Sequence, residues 1–191
     1  MEPSDNPLFI EEGITRFDLI QPGHIEPAVT KVIDDAEKNL IELESNIVPT
    51  WEGLIKPLEA GWLPFEYAWG PIGHLLNVKN SPKLREEHQK MLPQVVKFGL
   101  RVGQSRPIYE GLITIRDGPE WERLDDSQRR VINLKIRDAE LAGVGLSGKA
   151  RERFNQISTE LSQLGTDFMN HVLDSTKAYE FIIKEKSDVE G

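Results

Sequence analysis

Phe154, Ile157, Leu161, Leu164, Phe168 and Val172 recur at intervals of three and four residues. That spacing places them along one face of a helix, with Arg151, Glu160, Gln163 and Asp167 mostly elsewhere. A helix of this kind needs a surface to cover its apolar face. Beyond it, Tyr179, Phe181 and Ile183 alternate as a strand does, yet Lys184 to Gly191 are too few and too polar to supply a pairing strand. The pattern predicts a long amphipathic helix, a short C-terminal strand, and an architecture that stops before its apolar faces are covered.

Composition narrows the classes. A chain of 191 residues that is 38% hydrophobic, with 15 Gly and 12 Pro, is folded rather than disordered and long enough for a sizeable core. Its net charge of −9 argues against nucleic acid and against an anionic membrane surface, both of which need clustered Lys and Arg. Cysteine is absent, which excludes disulfides, a thiolate zinc site and a cysteine nucleophile. The start, Met1-Glu2-Pro3-Ser4-Asp5-Asn6, is unlike a signal or transit peptide, and no apolar run approaches the roughly 18 residues of a membrane span. The expectation is a cytoplasmic protein, or a chloroplast or mitochondrial one if a transit peptide has been removed.

Helical signals fill most of the chain. Pro22 to Ile47 reads as a helix with Ile25, Val29, Val32, Ala36, Leu40, Leu43 and Ile47 on one face, Pro27 being tolerable in its first turn. Pro49-Thr50 ends it and caps the next. From Trp51 to Lys79 the helical spacing persists, but Pro57, Pro64 and Pro71 each remove a backbone donor and predict a kinked or broken helix. Asn80-Ser81-Pro82 restarts the chain, and Leu84, His88, Met91, Val95, Phe98 and Val102 follow at helical period past a kink expected at Pro93. Ser105-Arg106-Pro107 opens a shorter helix closed by Asp117-Gly118-Pro119. Asp125 or Asp126 caps another, reaching Leu141-Ala142 and stopped by Gly143, and Ser147 caps the long one. The predicted fold is all-α, an irregular bundle of about six helices, some proline-kinked, with a short C-terminal strand. It forms one helical domain over 1–191, with a loose start over 1–21 and a polar tail over 184–191.

Motifs with chemical content are few. Gly143-Val144-Gly145-Leu146-Ser147-Gly148-Lys149-Ala150 matches G-x-G-x-x-G and nearly matches a phosphate loop, but a helix rather than a strand precedes it and Ala150 offers magnesium no oxygen. It reads as a helix stop, a linker and a new cap. His24-Ile25-Glu26 resembles half of a zinc deaminase site whose cysteine half is missing, so both residues belong to a helix's first turn. His74, His88 and His171 are not paired at i and i+4, and no H-E-x-x-H occurs; His74 reads as a satisfied, partly buried histidine. The doublets Glu11-Glu12, Asp34-Asp35, Glu86-Glu87 and Asp125-Asp126 read as solvated surface. Trp51, Trp62, Trp69 and Trp121 read as packing anchors rather than a ligand platform. Lys149, Arg151 and Arg153 could grip an anion, but Glu152 interrupts them and the net charge opposes it. No catalytic, cofactor-binding or metal residue is assigned.

Taken together and in order, several segments carry a resemblance. They are Pro49-Thr50-Trp51-Glu52 with Pro57-Leu58-Glu59; Trp69-Gly70-Pro71-Ile72-Gly73-His74-Leu75; Asn80 through Arg85; and Gly103-Gln104-Ser105-Arg106-Pro107-Ile108-Tyr109. Gln128-Arg129-Arg130, Gly143 through Leu146, Phe154-Asn155-Gln156-Ile157 and Phe168 through Lys177 follow. The chain resembles, from about Asn6 onward, the amino-terminal region of the oligopeptidase A branch of the thimet-type zinc oligopeptidases, and most of all plant members. The resemblance implies a helical channel wall in an enzyme that admits short peptides. In that family zinc is held by the histidines of an H-E-F-G-H motif and a later glutamate, where it activates water. None of those residues occurs here, so the resemblance carries over no catalytic or metal residue. Ala60-Gly61-Trp62-Leu63-Pro64-Phe65 stands where relatives run as uninterrupted helix, which implies a rearranged second helix.

Two functional readings follow. In one, the chain is the N-terminal part of an oligopeptidase, inactive alone, its partner the missing catalytic domain or a full-length paralogue, with self-association through exposed apolar faces. In the other it is a standalone helical interaction module derived from the peptidase. A helical lipid carrier ranks behind both.

Overall fold

A computed structural model describes residues 6–9 and 13–185. Met1 to Asp5, the Glu11-Glu12 doublet and the tail from Lys186 lie outside the described residues. Among the described residues the chain forms six α-helices and no strand: α1 (Ile25–Ser45), α2 (Lys56–Val78), α3 (Pro82–Gly103), α4 (Arg106–Asp117), α5 (Asp126–Leu141) and α6 (Gly148–Ala178). The all-α bundle is as the periodicity predicts. The expected C-terminal strand is absent: Tyr179 to Ile183 carry no ladder partner, and a lone extended segment cannot satisfy its backbone groups as a strand.

Polar caps set most helix starts. The Thr50 hydroxyl accepts from the Gly53 N–H at 3.0 Å, Ser81 from Leu84 at 3.2 Å and Ser105 from Ile108 at 3.3 Å. Asp125, rather than Asp126, caps α5: its carboxylate accepts from the Gln128 N–H at 2.8 Å while the Gln128 side chain accepts from the Asp125 N–H at 3.0 Å. Helix α5 ends where Gly143 takes φ +84°, its N–H bonding the Glu140 carbonyl and that of Val144 the Ala139 carbonyl. The positive φ is a conformation that L side chains rarely adopt, so glycine is favoured at this stop, and a Cβ there would also have to displace Leu146 Cδ1, 2.8 Å away. Ser147 is the exception among the predicted caps: it occupies the N-cap position of α6, but its side chain makes no cap bond.

The second helix is not broken at its prolines. A π-helical turn, Trp51–Ile55, leads into α2, which then runs unbroken through Pro64 and Pro71. Pro57 falls in the first turn, where a missing N–H costs nothing. The segment from Ala60 to Phe65 is ordinary helix, so the rearrangement inferred there does not occur. Burial explains the tolerance: Phe65, Ala68, Pro71, Ile72 and Leu75 are buried against neighbours, and that packing outweighs the lost backbone bonds. Pro93 is likewise passed without ending α3.

Helix α1 is the spine. Its N-terminal residues Ile25, Ala28, Val29, Val32 and Ala36 join α2 and α3 in one apolar cluster with Phe65, Ile72, Met91 and Phe98. Its later residue Leu40 joins a second cluster with Leu54, Leu112, Ile115, Ile132 and Ile136 from the π turn, α4 and α5. The start of the chain is not loose throughout. Asn6 is buried, donates to the His24 carbonyl at 2.9 Å and accepts from the Leu8 N–H at 3.0 Å, which seats Leu8 in the first cluster.

One ion-pair network ties α1 to α3 and α4. Arg101 donates to both oxygens of Glu44, at 2.7 and 2.5 Å, and to Glu37 at 3.1 Å, while the α4 cap Ser105 donates to Glu44 at 2.5 Å. Arg101 and Ser105 hold the Glu44 carboxyl below its ordinary pKa of 4.5, against the opposing effect of burial. A depressed folded pKa stabilises the fold above the unfolded value, and the contribution disappears as pH falls through the folded one. Glu44→Gln is therefore expected to lower stability near neutral pH by about 1 to 2 kcal/mol and to flatten the loss of stability below about pH 4.5. Urea unfolding at both pH values checks this; an unchanged acid slope contradicts it.

Candidate functional site

The chemistry-bearing residues do not converge. His24 is buried, its Nδ1 accepting from the Gln21 N–H at 3.1 Å. His88 is buried and stacked on Trp69, ring centroids 4.7 Å apart, its Nδ1 without a partner and its pKa lowered by burial. His74 is exposed rather than half-buried and lies against Phe17, while His171 is exposed on α6. Among the described residues no three His, Cys, Asp or Glu side chains gather as a metal would need. The groups present thus do not fit the zinc centre that the resemblance implies. The tryptophans are packing residues: Trp62 against Phe65 and Phe98, Trp121 under Arg129. The glycine-rich segment is a turn after a helix, as read.

What the structure does assemble is a surface on α6. This 31-residue helix has no buried residue. Its half-buried positions are mostly polar, Arg151, Asn155, Ser158, Ser162, Gln163, Thr166, Asp167 and Asn170, with Phe154 near its start and Leu173 near its end the two apolar ones. Opposite them, Ile157, Leu161, Leu164, Phe168 and Val172 are exposed, Leu161, Leu164 and Phe168 by 63 to 64%. The ordinary arrangement of an amphipathic helix is reversed: its polar face meets the body and its apolar face meets solvent.

Helix α3 makes that reversal workable. Arg85 donates to both oxygens of Asp174, at 2.7 and 2.5 Å, and keeps that carboxyl below its ordinary range. Gln104, itself buried, donates to Asn155 at 2.7 Å and to the Ala142 carbonyl at 2.9 Å. Arg151 closes the set, donating to the Gln104 side chain at 2.7 Å and its carbonyl at 3.2 Å. Between these anchors the hydroxyls of Ser158, Ser162 and Thr166 donate back to carbonyls of their own helix, leaving small, satisfied side chains toward α3. Arg151 is thus spent on a structural contact and does not join Lys149 and Arg153 in an anion site. The sequence showed the apolar stripe but not these partners; Gln104, between Gly103 and the cap Ser105, was the available signal.

Comparison with known proteins gives one consistent answer. Residues 29–151 match the family model described as Neurolysin/Thimet oligopeptidase, N-terminal domain. The chain is 38% identical to organellar oligopeptidase A, chloroplastic/mitochondrial, of Arabidopsis thaliana over 188 residues, 98% of this chain and 24% of that protein. It is 37% identical to a probable cytosolic oligopeptidase A of the same plant, over 98% of this chain and 27% of that protein. Against oligopeptidase A of Escherichia coli identity is 34%, over 97% of this chain and 28% of that protein. The chain spans about a quarter of the length of these relatives.

Because α6 is held through polar contacts and contributes nothing to either apolar cluster, it is expected to open first. Arg85→Ala is expected to raise amide exchange selectively along 158–178 while the amides of α1 and α2 keep their protection. Equal loosening of α1 would contradict this arrangement.

Proposed function

The chain belongs to the neurolysin/thimet oligopeptidase N-terminal-domain family, and from that premise we propose that it serves as the helical wall of an oligopeptidase A-type zinc metalloendopeptidase acting on short peptides. The zinc ligands and the water-activating glutamate belong, in this reading, to the part of such a protein that this chain does not include. The wall contributes shape: a stiff helical face that borders a channel and excludes folded proteins. The cytosol or a plant organelle is the compartment proposed, following the relatives.

The observation that carries this reading is the reversed helix α6. A stripe from Ile157 to Val172 left in water is a standing cost of about 25 cal/mol for each Å² of apolar surface. Large exposed apolar patches mark contact surfaces. The catalytic portion of the peptidase is the cover this reading provides.

The test uses the purified chain. It is expected to cleave no peptide, to retain no stoichiometric zinc after dialysis, and to bind a hydrophobic dye that Leu164→Glu releases. Peptide cleavage that survives purification to homogeneity and is lost with a chelator would contradict the proposal. A monomer that binds no dye would favour the standalone interaction module instead.

A further inference from the structure

Among the described residues, the only sealed side-chain nitrogen or oxygen without a hydrogen-bond partner is Nδ1 of His88, a residue only 8% exposed. A neutral imidazole carries one N–H and one lone pair. The cheaper arrangement puts the N–H on Nε2, the ring nitrogen that is not sealed, and leaves the lone pair at Nδ1. A second proton must then go to Nδ1, where the N–H would find no acceptor and the charge no water. The ring is also a structural contact. It stacks on Trp69 of α2 with centroids 4.7 Å apart and planes 15° from parallel, while Phe98, farther along α3, packs on Trp62 and Phe65 of α2. Aromatic contacts thus join these antiparallel helices at two levels, and only the His88 level can take up a proton.

We propose that the His88–Trp69 stack is an acid-sensitive latch: protonation drives the imidazole from its seat and parts α3 from α2 at that level, while the Phe98 level stays closed. Helices α1, α2 and α6 and the 3-10 turn Pro22–His24 all pack on α3, and the charged and titratable groups they bring act elsewhere. On α3 itself Arg85 is paired with Asp174 of α6, and Lys90, beside Glu86 and Glu87, with Glu26 of α1. Glu66 of α2 accepts from the Trp62 Nε1–H, and His74 lies against Phe17. Asp167 of α6 accepts from Gln89 and Gln163, and His24 accepts from the Gln21 N–H. Burial holds the pKa of His88 below its ordinary 6.5, with no charged neighbour contributing. The attraction of an imidazolium for an indole face works the other way, but it supplies neither an acceptor for Nδ1 nor water for the charge.

The working window follows from this depression. On opening, the ring regains its ordinary pKa and takes up a proton, so the latch is at full strength above pH 6.5 and weakens as pH falls from there to the folded value. Over that interval the opening constant rises by up to about ten-fold per pH unit. The Glu44 network responds only below about pH 4.5, which separates the two effects. The inference concerns the body of the chain and does not rest on the peptidase reading.

The chain has four tryptophans, so 5-fluorotryptophan labelling gives four fluorine resonances, with Trp69 identified by Trp69→Phe. Between about pH 7.5 and 5, the Trp69 resonance should shift with the same midpoint as the His88 ring protons, below 6.5. Its broadening by a soluble nitroxide should grow about three-fold or more, while Trp51 and Trp121, packed on the second cluster, keep theirs. His88→Phe, an aromatic ring without a titrating nitrogen, and His88→Gln, a neutral amide, should each abolish the pH response at Trp69. Titration of His88 at or above 6.5, a Trp69 resonance indifferent to pH, or an acid response shared equally by Trp51 and Trp121 would overturn the proposal. So would a response that persists in both His88 variants, which would assign it to His24.

Discussion

The docking of α6 on α3 through its polar face is the constraint that decides which surface the chain presents to its surroundings. Arg85 with Asp174 at one end and Arg151 with Gln104 and Asn155 at the other fix the helix's rotation about its axis. A rotation of half a turn would bury Leu161, Leu164 and Phe168 against α3 and strip the buried Gln104 side chain of two of its partners, Asn155 and Arg151, leaving its carbonyl oxygen without a donor. An unpaired buried amide costs about 1 to 3 kcal/mol, so the anchors resist that rotation even though apolar burial would favour it. Neither of the two apolar clusters draws on α6: they are built from α1 to α5 with Leu8, the π turn and Leu124, and α1 is common to both.

Function follows from this division of labour. The first five helices hold most of the core, and the sixth presents an apolar strip on a polar mount. Among the described residues no three His, Cys, Asp or Glu side chains gather as a metal would need. The chain belongs to an N-terminal domain family of peptidases, and action by contact and by shape is the role proposed for it.

Much of this was legible in the sequence because short-range rules govern it. Thr50, Ser81, Ser105 and Asp125 cap helices through bonds to residues three positions on, and Gly143 stops α5 by its own backbone. The stripe of α1 was read correctly for the same reason. What could not be read is long-range. Asn6 is ordered by the carbonyl of His24, eighteen residues away, and α2 passes Pro64 and Pro71 because buried neighbours hold it. The strand expected at Tyr179 to Ile183 depends on a partner that these residues do not contain. Which face of α6 turns inward was hidden too, because its anchors Arg85 and Gln104 lie 89 and 51 positions from Asp174 and Asn155.

The claim that α6 is a covered surface in the working protein is tested most directly by the size of the polypeptide that carries this sequence in its cells. An antibody raised against the chain, applied to a denaturing gel of cell extract, reads it against 21.7 kDa. A single species about four times that size, in keeping with relatives of which the chain covers 24 to 28%, is the predicted result. A stable species of 21.7 kDa alone would contradict it.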